Sequence, residues 1–179
     1  MVLDLLPQPD DLLERYGKPE PDADWLLAEP RVVPEHRGLG AASPTVRALK
    51  TCPCEVDGHE PPAGWRYPVG PQHPDGFASP SARRAIWLAP GRVVDRFGGT
   101  GGQFLSDLGL AWELRALPPH TLAAGYHVYE LHRPVPVWSG PAAACFGHPG
   151  GGVQHYLGER YTVHDLLVNG YLVEVTPCA

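Results

Sequence analysis

The sequence lacks the features of a membrane or nucleic-acid-binding protein. No apolar run in its 179 residues approaches the ~20 that a membrane helix needs, and residues 1–4 show no basic segment ahead of an apolar one. Lysine is nearly absent, with only Lys18 and Lys50, and no basic cluster exceeds the Arg83-Arg84 pair. The sequence therefore shows no secretion signal. We expect no membrane insertion and no binding to a long polyanion such as DNA.

Charge is scarce and unevenly distributed. Charged residues make up 19% and hydrophobic residues 43% of the chain, which excludes a disordered polyelectrolyte. Residues 1–64 hold 12 acidic and 6 basic side chains, whereas residues 65–179 hold 8 of each, and those 8 basic residues are all arginine. The planar guanidinium of arginine suits phosphate and carboxylate groups, so one interpretation of this use of arginine is that the protein binds an anionic small ligand. The other interpretation is that the arginines reflect a GC-rich genome.

Turn-forming residues are abundant, which excludes a bundle of long helices. Glycine and proline number 21 and 22, and this content predicts short elements joined by many turns. The expected fold is α+β, with a twisted, largely antiparallel β-sheet core, a few short helices and a proline-rich N-terminal arm. The run at residues 61–64 predicts a boundary between an acidic helical arm (1–64) and a functional domain (65–179).

Local patterns predict the individual elements. Capping and closing residues indicate helices at 10–17, at 24–28 and, after Thr162 as N-cap, at 163–169. Runs rich in β-branched and aromatic residues indicate strands at 92–97, 126–131, 135–138, 142–146 and 171–175. In the strand at 126–131, alternation places Tyr126, Val128 and Glu130 on one face and His127, Tyr129 and Leu131 on the other.

The four cysteines do not identify a metal site. Cys52 and Cys54 are separated by one residue, which is not the spacing of zinc ribbons. A zinc site formed by Cys52, Cys54 and His59 is one possibility. Free thiols or disulfides that involve Cys145 and Cys178 are the others, and the sequence does not choose among them.

Three segments carry residues suited to ligand binding. In residues 95–105, Arg96 and Phe97 precede four glycines, which would let backbone N–H groups approach a ligand. Because no helical run follows, the segment is neither a P-loop nor a dinucleotide-binding fingerprint. The alternative is a glycine-rich hairpin turn with Arg96 paired to a surface carboxylate.

The second and third segments supply an arginine, a histidine and an amide. Arg115 precedes the rigid Pro118-Pro119 pair and either binds a ligand or forms a structural pair with a carboxylate. His127 is either a proton shuttle or a structural polar group. Gln154 follows three consecutive glycines that would let its amide sit against a ligand, whereas His148 and His155 make a weak metal site.

Together these segments resemble the tuberculosis necrotizing toxin family of NAD glycohydrolases, which includes bacterial toxin domains and fungal surface enzymes. The resemblance runs from about residue 65 to residue 175. It rests on six motifs in order, at residues 75–77, 95–98 with 104–105, 115–119, 126–129, 146–154 and 166–172. It departs from the family at Cys145, where tryptophan is common, and at His155, which separates Gln154 from the aromatic residue that often follows directly.

The resemblance implies hydrolysis of the nicotinamide–ribose bond of NAD, and of NADP, without a cofactor or a metal. It implies that Arg96, Phe97, Gln103, Phe104 and Arg115 bind the substrate and that Gln154 is needed for turnover, with His127 also implicated. Arg96 and Arg115 would hold the diphosphate. No glutamate adjoins these motifs closely, so we expect catalysis without an essential carboxylate, with Glu113 and Glu159 as the nearest candidates.

Two other functions stay open at this point: an ADP-ribosyltransferase, and a module that binds NAD without consuming it. A cell that holds such a hydrolase would exhaust its own NAD. We therefore expect a secreted or delivered toxin or effector, with an immunity protein as a possible partner.

Overall fold

The computed structural model describes residues 9–26 and 70–175, and its core is one antiparallel sheet. The seven strands are β1 (Arg84–Leu88), β2 (Val93–Phe97), β3 (Phe104–Asp107), β4 (Tyr126–Leu131), β5 (Val135–Pro141), β6 (Val153–Tyr156) and β7 (Leu172–Glu174). The helices are α1 (Pro9–Tyr16), α2 (Trp112–Arg115), α3 (His120–Ala123) and α4 (Val163–Val168), with 3₁₀ turns at Pro74–Gly76 and Pro80–Ala82. The expected α+β fold with a largely antiparallel sheet is confirmed.

The strand order is β1-β5-β6-β3-β2-β4-β7. β2 and β3 are joined by the glycine-rich segment and pair with each other, while β6 joins the sheet between β3 and β5. Ser106 therefore lies opposite Gln154, 48 residues further along the chain. On its other side Ser106 lies opposite Asp95 of β2.

The two faces of the sheet differ in what covers them. One face packs on α4, and its buried core includes Val94, Leu105, Tyr129, Val137 and Leu172, together with Leu166 of α4. Because side chains alternate along each strand, the neighbouring residues point to the opposite face. That opposite face carries the candidate site.

The predicted N-cap of α4 and the closing glycine of α1 are confirmed. Thr162 and Asp165 form a reciprocal capping box, in which the Asp165 backbone N–H donates to Thr162 Oγ1 at 3.3 Å and the Thr162 N–H donates to Asp165 Oδ2 at 2.8 Å. The predicted helix at 10–17 is α1, and Gly17 ends it with a left-handed φ of 76°.

Three predictions of local structure are wrong or incomplete. Residues 142–146 form no strand: they make only isolated bridges, and Phe146 has a left-handed φ of 54°. Residues 24–26 are not helical, and residues 27–28 lie outside the described part. The strands β1, β3 and β6 were not predicted, since β3 and β6 have four residues each and lie beside glycine-rich loops. Local pattern is weak over such short runs.

The described part of the N-terminal arm packs on the domain. Trp25 contacts Tyr161 and Tyr171 edge to face, with ring centroids 4.8 and 5.4 Å apart. Trp87 Nε1 donates to the Gly17 carbonyl at 2.8 Å, and Tyr161 Oη donates to Asp24 Oδ1 at 2.6 Å. The predicted boundary at residues 61–64 and the candidate zinc ligands Cys52, Cys54 and His59 lie outside the described residues, as does Cys178. Over 9–26 and 70–175, no helix has the length and apolar character needed to cross a membrane.

Candidate active site

A cavity of about 480 Å³ opens on the sheet face opposite the α4 core. Its floor is formed by alternate residues of three adjacent strands, which the register places side by side: Phe97, Phe104, Ser106, Gln154 and Tyr156. Arg96, Gln103 and Arg115 also line it. The cavity thus brings together residues that the sequence placed in three separate segments.

Arg96 lies beneath the glycine-rich loop. Its Nε donates to the Gly99 carbonyl at 2.9 Å and its Nη1 to the Phe104 carbonyl at 2.7 Å. A Cβ at Gly102 would lie 1.8 Å from Arg96 Nη2, so a glycine is needed there to admit the guanidinium. The predicted hairpin is present, and Arg96 binds two loop carbonyls.

Arg115 forms a buried pair with Asp95. Its Nη1 and Nη2 lie 2.5 and 2.8 Å from the two Asp95 oxygens, its Nε donates to the Leu110 carbonyl at 2.7 Å, and both side chains are at most 2% exposed. Asp95 also accepts from Tyr126 Oη at 2.9 Å and from the Gly109 N–H at 2.8 Å. The structural arginine–carboxylate pair is therefore present. Together with the bond to Leu110 it uses three of the five N–H donors of Arg115 and holds this side chain at the cavity wall.

The glycine-rich loop before Gln154 packs on α2, the helix that carries Arg115. The N–H of Gly150 donates to the Glu113 carbonyl at 3.2 Å, and that of Gly152 to the Leu114 carbonyl at 2.9 Å. A Cβ at Gly152 would lie within 3 Å of Leu110 and Leu114 atoms. Gly150 and Gly152 are thus needed for close packing of the loop on the protein itself, where the sequence suggested room for a ligand.

Gln154 lines the cavity, and its amide nitrogen is unpaired. Its Nε2 is buried and has no hydrogen-bond partner among the described residues. Gly76, in the strained turn where Asp75 has a φ of 52°, lies close to this nitrogen: a Cβ on Gly76 would be 3.9 Å from it. An unsatisfied buried amide nitrogen costs free energy, and a hydrogen bond to a bound ligand would offset that cost.

Aromatic rings form much of the cavity wall. Phe104 stacks on Tyr156 with centroids 4.7 Å apart and an interplanar angle of 18°. Phe97 packs edge to face on Trp112, with ring centroids 5.0 Å apart, and the Arg115 guanidinium lies 5.1 Å from the Phe97 ring centroid. Burial, followed by the nearby carboxylates, raises the pKa of Tyr156 to about 12, so this phenol is neutral at physiological pH.

Two carboxylates, Asp75 and Glu159, reach the cavity. Asp75 forms an ion pair with Arg83, whose guanidinium lies 4.5 Å from the Trp138 ring centroid. Asp75, Tyr156 and Glu159 also line a second, polar pocket of about 540 Å³ that includes Asp22 of the arm. Glu113 is not among the residues that line the cavity, and its backbone carbonyl binds the glycine loop.

The structure places His127 apart from the cavity. It lies opposite Arg96 in the β2–β4 register, stacks on Tyr129 and has its Nδ1 2.6 Å from Glu174 Oε1. Its catalytic role therefore stays a prediction. In the described ranges, no cluster of three or more histidine, cysteine or acidic side chains could hold a metal, and Cys145 is not part of a disulfide.

Sequence reasoning missed Asp95, Ser106 and Tyr156 as members of the site. Asp95 stands beside Arg96 in the sequence, and strand alternation would have placed it on the Phe97 face. Ser106 and Tyr156 belong to the short strands that were not predicted, so no local signal pointed to them.

Three comparisons relate this chain to known proteins. Residues 87–175 match the family model described as "Tuberculosis necrotizing toxin". The conidial surface nicotinamide adenine dinucleotide glycohydrolase nadA of Aspergillus fumigatus is 36% identical over 110 residues, which cover 55% of this chain and 46% of the relative. The chain therefore spans about half the length of that curated relative.

The fold comparison agrees with the sequence comparison. The atomic structure of tuberculosis necrotizing toxin complexed with its immunity factor superposes with a TM-score of 0.51 at 21% identity, over 84% of this chain and 100% of that one. At this identity the likeness concerns the fold. Together with the motif order, these matches show that the chain belongs, over residues 87–175, to the tuberculosis necrotizing toxin family.

Proposed function

We propose that this protein hydrolyses the N-glycosidic bond between nicotinamide and ribose in NAD, and in NADP, to give nicotinamide and ADP-ribose. The observation that carries the proposal is the unpaired amide nitrogen of Gln154, a residue that lines the cavity together with Arg96, Phe97, Gln103, Phe104 and Arg115. The relative named as a NAD glycohydrolase supports the choice of substrate.

The chemistry needs position and polarity rather than an acid. Nicotinamide leaves the cationic pyridinium as a neutral molecule, so the barrier lies in the oxocarbenium-like ribosyl centre that develops. We expect Gln154 to orient the ribose or the attacking water, and the arginines at the cavity wall to favour the diphosphate. Phe97 and Phe104 present apolar ring surface to the nucleotide.

The proposal assigns no resident cofactor or metal, and no essential carboxylate. Glu159 and Asp75 are the acidic groups at the cavity, and Asp75 is already paired with Arg83. Substitution of Glu113 or Glu159 by glutamine is therefore expected to leave substantial turnover. Complete loss of activity in either variant would contradict this part of the proposal.

We further propose that the protein acts as a toxin or effector that is secreted or delivered to a target cell. The comparison structure is a toxin with its immunity factor, and the curated relative is named as a surface enzyme. An immunity protein that covers the cavity is the partner we expect.

The decisive experiment is incubation of the purified protein with NAD and quantification of nicotinamide. We expect release by the wild-type protein and at least ~100-fold slower release by Gln154→Ala, because the amide acts on the reacting ribose. Equal release by both proteins, or by neither, would overturn the site assignment. Transfer of labelled ADP-ribose to protein would indicate a transferase, and NAD binding without consumption an inactive module.

A further inference from the structure

A row of polar side chains crosses four strands on the face of the sheet opposite the cavity. Arg92, just before β2, donates from Nη2 to Asp107 Oδ1 on β3 at 2.5 Å. His155 on β6 has its Nε2 3.0 Å from the same Asp107 oxygen and its Nδ1 3.0 Å from Ser139 Oγ on β5. We call Ser139, His155 and Asp107 the polar clamp.

The hydrogen bonds of the clamp define the state of each group. The bonds from His155, and then Arg92, hold the pKa of Asp107 well below its usual range, so Asp107 is ionised and only accepts. His155 Nε2 must therefore carry a proton and donate it to Asp107. In the neutral ring Nδ1 then accepts from the Ser139 hydroxyl. His155 is fully buried, and both of its ring nitrogens are satisfied.

The clamp acts on the strand that presents Gln154. His155 follows Gln154 directly, and alternation along β6 points one side chain into the clamp and the other into the cavity. β6 has only four residues and lies between β3 and β5, with Ser106 and Gly140 opposite Gln154. A slip of one residue would turn the Gln154 amide away from the cavity.

Stability alone does not account for a buried histidine here. Leu105, opposite His155 on β3, belongs to the apolar core on this face. Well-packed apolar residues often replace buried polar groups at no cost in stability, whereas polar pairs are retained in some proteins because they define register. The sequence resemblance leads one to expect an aromatic residue directly after the glutamine, and a phenylalanine would make neither bond of the clamp.

We propose that His155 is a positioning residue, which fixes β6 between β3 and β5 through Asp107 and Ser139 and thereby holds the Gln154 amide toward the substrate. This role rests on the proposed NAD hydrolysis. It concerns a residue on the opposite face from the cavity, and it acts through Gln154 without touching the substrate.

The test compares two substitutions of His155 with a core control. His155→Phe keeps an aromatic ring but loses both bonds, whereas His155→Gln keeps a donor near Asp107. Val137→Ala removes core volume on β5, on the same face, without touching the clamp. For each variant kcat and KM for NAD are measured well below its unfolding midpoint. The Gln154 side-chain amide resonance is recorded as well, assigned by its absence in Gln154→Leu and resolvable because the chain has four glutamines and one asparagine.

We expect kcat of His155→Phe to fall about tenfold with KM changed less than about twofold, because the amide is misplaced while the cavity wall persists. His155→Gln should recover most of kcat, Val137→Ala should keep it, and only His155→Phe should shift or broaden the Gln154 resonance. Equal kcat losses in His155→Phe and Val137→Ala, or an unchanged Gln154 resonance, would overturn the positioning role. If the wild-type protein releases no nicotinamide, the proposed function fails, and the resonance comparison alone then decides the role of His155.

Discussion

At the scale of single residues, the site depends on which groups fit beside each guanidinium. Arg96 fits because Gly102 has no side chain, and Arg115 is buried because Asp95 balances its charge and accepts two of its bonds. Substitution of Gly102 or Asp95 would therefore displace the neighbouring arginine, and ligand binding would change as a consequence. The two cases differ in burial, since Arg115 is enclosed while Arg96 lies under a loop.

Gly102→Ala tests the placement of Arg96. The new Cβ would collide with the guanidinium, which must move. We expect KM for NAD to rise about tenfold, because the displaced arginine would lose about one charge-assisted hydrogen bond to the substrate. Gly101→Ala is the matched control, because a Cβ there meets nothing within 4 Å. Steady-state kinetics of both variants provide the measurement. A similar KM in Gly102→Ala and Gly101→Ala would show that Arg96 does not contribute to binding.

At the scale of elements, short strands are held by their neighbours and short helices by their caps. α2 has four residues and no side-chain N-cap, and the glycine loop before β6 hydrogen-bonds to its carbonyls. α4 has six residues and is closed by the Thr162–Asp165 box. Helices this short are not stable alone, so their ends carry much of what keeps them formed.

Asp165→Ala tests the cap of α4 and its pH dependence. Hydrogen bonds from the Thr162 side chain and then its backbone lower the pKa of Asp165 below the ordinary value of 3.8. A carboxylate with a depressed native pKa contributes stability that is present above the unfolded value and is lost as pH falls through the native value. We expect a loss of about 1 kcal/mol in urea denaturation at pH 7, shrinking below pH 3.8.

The control for this prediction is Glu14→Ala, which removes an exposed carboxylate on α1 outside any cap. Its effect should stay within about 0.5 kcal/mol at every pH. A constant difference between wild-type protein and Asp165→Ala across the acid range would mean that the cap does not titrate as described.

At the scale of the whole molecule, the N-terminal segment belongs to the folded unit. Residues 9–26 lie outside the matched family region, yet they insert Trp25 between Tyr161 and Tyr171 and place Asp22 against Gly158 and Trp138. A Cβ at Gly158 would come within 2.7 Å of Asp22. Residues 9–26 therefore pack on the domain as the arm predicted from the sequence.

Trp25→Ala tests whether the arm stabilises the domain. Removal of a packed indole should lower the free energy of unfolding by about 3 kcal/mol, because it leaves a space between two tyrosine rings. Leu13→Ala is the comparison, since Leu13 is 48% exposed and should cost less than about 0.5 kcal/mol. Urea denaturation of both variants measures the difference. Equal stabilities would show that the arm does not dock in solution.

Local sequence determined the elements whose signals are complete within one segment. The alternation in β4, the Thr162 cap and the closing Gly17 each depend on neighbours a few residues away, and all three predictions are confirmed. The order of the motifs likewise identified the family. The predicted strand at 142–146 is wrong although the segment is hydrophobic. Its backbone bonds to glycines of neighbouring loops and has no strand partner in the described part of the chain.

Only the tertiary structure decided how the chemistry is assembled. The insertion of β6 between β3 and β5 sets Gln154 opposite Ser106, the pairing of Arg115 with Asp95 spans twenty residues, and the clamp around His155 joins three strands. Each of these depends on contacts between distant segments, whose energies arise from burial and register rather than from local preference. Arg96, Gln154 and several other residues that line the cavity could therefore be predicted from the sequence, whereas Ser106, Tyr156 and the partners of the arginines could not.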